Sequence, residues 1–446
     1  MMVAQILPLL AAMLSVAPVP QSNSSGDSPT ADGLRPLACM TGSSSAWDMG
    51  DPIVTYWAGP GYPNSNMPVD DAHVKQLKEG GFNVLWAQTK ADLDMAAKWG
   101  MRALYHLPTA RGKGWSEETR TKLAKTIAAV KDHPALCFYH QCDEPPADWF
   151  EYLNEDKEFV RSLDPKHPCW VNLLPTYANN RQLGVEGEII SAYWEHVRRF
   201  MDVYDPAFTS YDHYQLNNGW DTGDYFLNLG IVQQNAAARG IPFMNGVQAC
   251  TFWPPEHFAT PSAPRIPNPD ELRYLVYTTL AYGAQGIYYY VYSHPGHTGS
   301  IVSQEGVPDA KYYELRKLNP IFVATARETR GYRMSGAFFK GLCPRGGTPY
   351  GARALLRFAD GEASAPLPEK APLRDSVLVT RFDASGRGTR LMVVNLDYRK
   401  ETSYDVTAPV PALRFDPETG DWTPLGTRFT LSLVKGGGVL LELGKR

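Results

Sequence analysis

Two short runs rich in β-branched and aromatic residues end in acids. ALCFYHQC (135–142) is followed by Asp143 and Glu144, and FTSYDHYQL (208–216) carries Asp212. Carboxylates brought together on neighbouring strands repel and desolvate one another, which raises the pKa of one of them. A protonated carboxyl facing an ionised one can protonate a leaving oxygen while its partner attacks carbon or activates water, which is the chemistry of acetal cleavage. Similar run ends carry Tyr56 and Trp57, His106, His140, Asn172 and Tyr177, Tyr211 and His213, Gln248, Tyr290 and His294, and Trp253 lies on the loop after the Gln248 run. Aromatic rings suit the weakly apolar faces of sugars, and amides and imidazoles suit hydroxyls. These residues are the expected substrate contacts, with Glu144, Asp212 and Asp143 as the catalytic set. Each acid also has a plainer reading: Asp143 and Glu144 as caps of a following helix, Asp212 as an orienting group for His213 or Tyr214. Glu271 fits a capping box and Glu195 a helix surface, so neither joins the set.

The elements that must position these residues repeat along the chain. The β-type runs are 53–59, 83–89, 102–108, 135–142, 169–177, 208–216, 242–250 and 286–294, bounded by Gly, Pro or Asp. Between them lie amphipathic stretches. Val74 and Leu77 mark one, Leu93, Ala96 and Ala97 the next, and Leu123, Ile127 and Val130 a third. Asn268-Pro269-Asp270-Glu271 opens a fourth, with an Asn cap, Pro at the first helical position and Glu at the third. Eight strand–helix units predict an α/β fold, a (β/α)8 TIM barrel, whose strand ends carry the chemistry. A doubly wound sheet is the alternative, but Ala58-Gly59-Pro60-Gly61-Tyr62-Pro63 is not the Gly-rich phosphate turn that such a sheet carries after its first strand.

Residues 321–330 read as a last helix. Short alternating runs follow at 353–358, 376–382, 390–398, 402–407, 428–433 and 438–443, and predict a C-terminal all-β sandwich. The expected organisation is a signal peptide at 1–22, a Ser- and Gly-rich linker at 23–34, a catalytic barrel at 35–332 and a β-sandwich domain at 333–446. The apolar run ILPLLAAMLSVAPV (6–19) carries the signal reading, and with it a secreted or periplasmic location. In a chain of 446 residues, no apolar stretch reaches the ~18 residues of a membrane span. Net charge is −4 with no basic stripe, which argues against a nucleic-acid partner. Six scattered cysteines, none in a CxxC pair, fit buried thiols with one disulfide at most. His294-Pro295-Gly296-His297 lacks a third ligand and reads as a polar turn, so neither a metal nor a cofactor is expected.

Cys142-Asp143-Glu144-Pro145 resembles the Asn-Glu-Pro or Asp-Glu-Pro of barrel glycoside hydrolases in the broad clan that includes families 2, 5 and 42. ELRYLVYTTLAYGAQGIYYYVY (271–292) resembles their last helix and strand. The resemblance extends loosely over residues 50–330. It implies a TIM barrel with an appended β-sandwich, Glu144 as general acid/base and Asp143 as its neighbour. In that clan a Glu at the end of strand seven is the nucleophile. Here the strand reads Asn245-Gly246-Val247-Gln248-Ala249-Cys250, without a carboxylate. The retaining two-Glu mechanism therefore does not carry over. Asp212 can be the partner, a loop acid such as Glu256 can reach in, or the protein binds sugar without turning it over.

The expectation is a secreted glycoside hydrolase acting on an oligo- or polysaccharide, with Glu144 as acid and Asp212 as second carboxylate. The alternatives are a carbohydrate-binding pseudoenzyme, or a polysaccharide lyase using Tyr211 with His213 or His140. Only Arg102, Arg181 and Arg265 are at hand to neutralise a uronate for a lyase.

Overall fold

The computed structural model describes residues 47–109, 112–252, 260–368 and 371–444. The signal and linker assignments, Cys39, Trp253 and Glu256 lie outside these residues.

Eight parallel strands form the barrel sheet: β1 (Ile53–Trp57), β2 (Val84–Ala87), β3 (Arg102–His106), β4 (Leu136–Asp143), β5 (Cys169–Leu173), β6 (Thr209–His213), β7 (Phe243–Gln248) and β8 (Gly286–Tyr290). Their order is β1-β8-β7-β6-β5-β4-β3-β2. Eight helices alternate with them: α1 (Asp71–Glu79), α2 (Lys90–Lys98), α3 (Glu117–Val130), α4 (Phe150–Leu163), α5 (Ile189–Arg199), α6 (Tyr225–Arg239), α7 (Pro269–Ala281) and α8 (Ala310–Thr329). Helices cover one face of each strand and the barrel interior the other, so the strands read as near-continuous apolar runs. Asp70, Thr89, Ser116 and Asn268 each accept the backbone N–H three residues on and start α1, α2, α3 and α7. Pro269 is the first residue of α7, and the Asn268 N–H donates back to Glu271 Oε2 at 2.9 Å. α8 begins at Ala310, well before the stretch expected from sequence, and runs through Pro320.

Side chains bridge the seam between β1 and β2: Thr55 Oγ1 donates to the Val84 carbonyl at 2.9 Å, Trp86 Nε1 donates to the Tyr56 carbonyl, and Asn83 adds two bonds. Asn83 Oδ1 accepts the Val54 N–H at 2.9 Å, and Asn83 Nδ2 donates to the Pro52 carbonyl at 2.8 Å. The Asn83 N–H donates to the Val54 carbonyl at 3.0 Å.

The C-terminal strands are β9 (Arg333–Cys343), β10 (Val377–Asp383), β11 (Thr389–Asn395), β12 (Thr402–Phe415), β13 (Trp422–Leu433) and β14 (Gly438–Leu443). They form one mixed sheet, β9-β10-β11-β14-β12, with β13 on β12, curled into a sandwich. Strand alternation gives β10, β11 and β14 two buried faces. Val377, Val379, Leu391, Val393 and Leu441 fill the sandwich interior with Tyr404, Val406 and Leu431. Leu378, Phe382, Met392, Val394 and Leu440 belong to the barrel's core instead. The run at 353–358 is not the expected strand. It is a 3₁₀ turn, Ala352–Ala354, then Leu355 at φ 72°, leaving only Arg357–Phe358 extended. β9 was missed in the sequence because Gly336 and Gly341 interrupt its pattern. Among the described residues, Cys137, Cys142, Cys169, Cys250 and Cys343 form no disulfide with one another.

Candidate active site

A β-bulge places the acids. His140 pairs with Trp170, Cys142 with Val171 and Asp143 with Asn172, so β4 has one residue more than β5 between the first two pairs. Phe138 and His140 face the barrel axis. The extra residue resets the alternation so that Asp143 comes to the barrel mouth beside Asn172. The next residue, Glu144, has φ 46°, and its N–H donates to the Asn172 carbonyl at 2.9 Å. A non-glycine residue held in the left-handed region is uncommon and is held by its surroundings.

Asn172 joins the two aspartates. Its Oδ1 accepts from the Ser210 hydroxyl and from the Tyr288 hydroxyl, both at 2.8 Å. Two donors on the oxygen fix the amide orientation. Its Nδ2 therefore donates to Asp212 Oδ1 at 3.0 Å and to Asp143 Oδ1 at 3.2 Å. Trp170 Nε1 donates in turn to Ser210 Oγ at 2.6 Å. Gly246 on β7 makes the room for Tyr288, since a Cβ there would stand 2.2 Å from the Tyr288 hydroxyl oxygen.

The electrostatics separate the acids. Asp212 is buried, and burial pushes its pKa up from 3.8 to about 6, while donors from Tyr214 and Asn172 hold it down. Glu144 sits in a recess that solvent reaches only in part. Burial, then the charges of Asp212 and Asp143, hold its carboxyl well above the usual range. Glu144 thus keeps its proton at a pH where Asp212 has lost its own.

Aromatic groups wall and floor the site. Tyr214 hydrogen-bonds Asp212, and its ring lies 4.8 Å from that of Tyr290. Tyr177 is exposed, its oxygen accepting the Tyr214 N–H at 3.2 Å. Trp57 is 6% exposed and packs against Trp86, His140, Trp170 and Tyr288, so it is floor rather than an open sugar platform. His140 is 3% exposed, its Nδ1 3.0 Å from Nδ1 of the half-buried His106. Burial pushes the His106 pKa down to about 4, and burial with His106 beside it holds His140 well below the usual imidazole range. His294 is half-buried beside His297.

Four expected contacts are corrected. Strand alternation turns Tyr56, Tyr211 and His213 away from the axis. The Tyr56 hydroxyl donates to the Pro60 carbonyl at 2.6 Å. Tyr211 lies among Tyr225, Tyr193 and Tyr282 of the helical layer. His213 is held by Asn228 and Thr222 at 2.9 and 2.8 Å. Gln248 clamps a loop, accepting from the Leu216 N–H and donating to the carbonyls of Leu216 and Arg265. Ser210, Tyr214, Tyr288 and His297 belong to the site or its support but were outside the expected set. Counting back by two from Asp212 would have found Ser210, because residues of one strand face alternate. Glu195 pairs with Arg198 and Arg199 on α5, and Glu271 with Arg265.

The strand order, the alternating helices and the acids at the strand ends define a (β/α)8 TIM barrel with an acidic mouth, followed by a C-terminal mixed sheet. No protein-family model matches the chain, and no curated protein matches it. A glycoside hydrolase family 5 structure from Bacteroides vulgatus shares the fold at TM-score 0.53 and 13% identity, over 89% of this chain and 94% of that one. An endo-β-1,4-mannanase from Thermotoga petrophila matches at TM-score 0.42 and 10% identity, over 85% and 98%. A β-galactosidase from Halorubrum lacusprofundi matches at TM-score 0.43 and 13% identity, over 61% and 58%. The chain spans 46% to 60% of the β-galactosidase, β-glucuronidase and β-galacturonidase structures it matches. Among the described residues no helix is long and apolar enough to cross a membrane, and no three His, Cys, Asp or Glu residues are grouped to hold a metal ion.

Proposed function

We propose that the protein is a glycoside hydrolase acting on an oligo- or polysaccharide. The observation that carries this reading is the pair of acids at one barrel mouth, Glu144 held protonated and Asp212 ionised above about 6. Glu144 gives its proton to the glycosidic oxygen as the bond from that oxygen to the anomeric carbon breaks. Asp212 takes a proton from water as the water oxygen bonds to that carbon. Asn172 and Tyr214 hold Asp212 in its charged form, and Asp143 raises Glu144 from the other side. The separation of the two carboxyl groups sets the stereochemistry, about 5–5.5 Å giving retention and about 6.5–9.5 Å inversion, and the relation of strand four to strand six leads us to propose the wider gap and inversion.

A panel of glycans incubated with the full chain and with Glu144→Gln tests this. Reducing ends released by the wild type and lost in Glu144→Gln are expected, and turnover that survives the substitution refutes the role. One observation favours a second reading, a sugar-binding protein without turnover. β7 offers no carboxylate, only Gly246 and the fully engaged Gln248. Glycan binding by both proteins without product would establish it.

The apolar run at 6–19 further leads us to propose export, with a mature N-terminus near residue 22. N-terminal sequencing of protein recovered outside the cytoplasm tests it.

A further inference from the structure

We infer that Tyr290 is a specificity-determining residue, fixed as a hydrogen-bond acceptor toward the substrate, and that the site takes a glycoside presenting a hydroxyl or amide N–H there and refuses one presenting a carboxylate. The substrate part of this rests on the hydrolase reading above.

A chain of lone pairs and protons sets the direction of the Tyr290 hydroxyl. The Gly296 N–H points at His294 Nδ1 at 3.0 Å, so that nitrogen carries a lone pair. His297 Nδ1 faces the same nitrogen at 3.1 Å. Two lone pairs at that distance would repel, so His297 carries its proton on Nδ1. Burial, with His294 beside it, pushes the His297 pKa down to about 3, which leaves the ring neutral. A neutral imidazole protonated on Nδ1 has its lone pair on Nε2. His297 Nε2 lies 2.8 Å from the Tyr290 oxygen, so the Tyr290 hydroxyl donates outward to His297. The phenol oxygen keeps only its lone pairs for whatever enters the site.

The surroundings add the same bias. Tyr290 lies against Tyr214, whose hydroxyl is committed to Asp212. The Asn172 protons are committed to Asp143 and Asp212, and the Tyr288 proton to Asn172. The carboxylates that act on the Tyr290 hydroxyl are Asp143 and Asp212. Those acting on Glu144 are again Asp212 and Asp143. Asp212, Tyr288 and Tyr290 hydrogen-bond to the side chains of Asn172, Tyr214 and His297, all neutral groups. A substrate carboxylate would meet acceptors and negative charge, and a hydroxyl or amide donor would find acceptors waiting.

Two measurements test this. Imidazole 15N correlation spectra of the full chain should show His297 neutral and protonated on Nδ1. Protonation on Nε2, or on both nitrogens, overturns the inference whatever the protein cleaves. The second is kcat/KM on matched 4-nitrophenyl pairs, glucoside against glucuronide and galactoside against galacturonide. The neutral member should be favoured by about 100-fold or more, and Tyr290→Phe should shrink that ratio by about 10-fold. A purely structural role for Tyr290 would depress both members alike and leave the ratio unchanged, which overturns the inference, as does equal cleavage of uronides. Where neither member is cleaved, the hydrolase reading is judged on the glycan panel instead. The His297 spectra then decide the Tyr290 inference alone.

Discussion

Asn172 Nδ2 stands 3.0 Å from Asp212 Oδ1, with its amide oriented by two hydroxyls on the far side. A buried carboxylate is thereby given a donor that cannot turn away. The contact works against burial, which alone would drive Asp212 toward its neutral form.

Asp212 is raised to about 6 and Glu144 well above the carboxylate range, which sets the pH dependence of turnover. The rate should fall as pH drops through about 6, because the base becomes protonated. It should fall again at higher pH, where Glu144 loses its proton. A pH–kcat/KM profile checks both limbs. A profile rising continuously toward pH 4 excludes Asp212 as the base.

Replacing Asp212 by Asn should cost activity and add stability. The native state holds the Asp212 proton more tightly than the unfolded chain does. Its stabilising contribution is therefore full below about 3.8 and is lost as pH rises through about 6. At pH 7 the buried charge costs on the order of 3 kcal/mol. Asp212→Asn should raise the melting temperature by about 2–5 °C at pH 7 and leave it unchanged near pH 3.5. Turnover should drop by about 10³-fold or more. Scanning calorimetry at the two pH values reads the sign directly.

Asn172→Ala removes both donors and leaves the Ser210 and Tyr288 hydroxyls without their acceptor. A loss of about 2–4 kcal/mol is expected in denaturant unfolding. The acid limb of the pH profile should also move above 6, since the charged form of Asp212 has lost a hydrogen bond. An unmoved limb would mean that Asn172 does not tune Asp212.

Gly246→Ala puts a methyl 2.2 Å from the Tyr288 ring and hydroxyl. Backbone on one side and a barrel interior on the other leave little room to yield, so about 1–3 kcal/mol is lost. Pairing it with Tyr288→Leu should restore stability without restoring turnover, because the Tyr288 hydroxyl that orients Asn172 is gone. A double-mutant cycle of stability and rate separates the two effects.

Asn83→Ala should loosen the seam between β1 and β2, which Thr55 and Trp86 still bridge. Two side-chain hydrogen bonds to the chain of β1 disappear, at a cost of about 2–3 kcal/mol. Hydrogen exchange at the Val54 amide should quicken more than at amides of β6, whose strand partners are untouched.

The amino-acid sequence by itself determined the barrel and the two strand ends that bear the acids. Period, caps and breakers are local properties, and eight strand–helix units have few ways to pack. It also showed Asn268 and Glu271 as a cap, a pattern confined to four residues. Tertiary structure decided which face each residue took. The bulge at Gln141 shifts the phase of β4 by one residue, and Asp143 reaches the mouth because of it. No local pattern marks that shift, since it depends on pairing with β5. Tyr56, Tyr211 and His213 looked like site residues because they neighbour Trp57 and Asp212 in sequence, yet neighbours on a strand point to opposite faces. Gln248 looked free until the loop at 214–217 folded onto it. Ser210, Tyr288 and Gly246 come from three strands, and only the closed barrel brings them around Asn172.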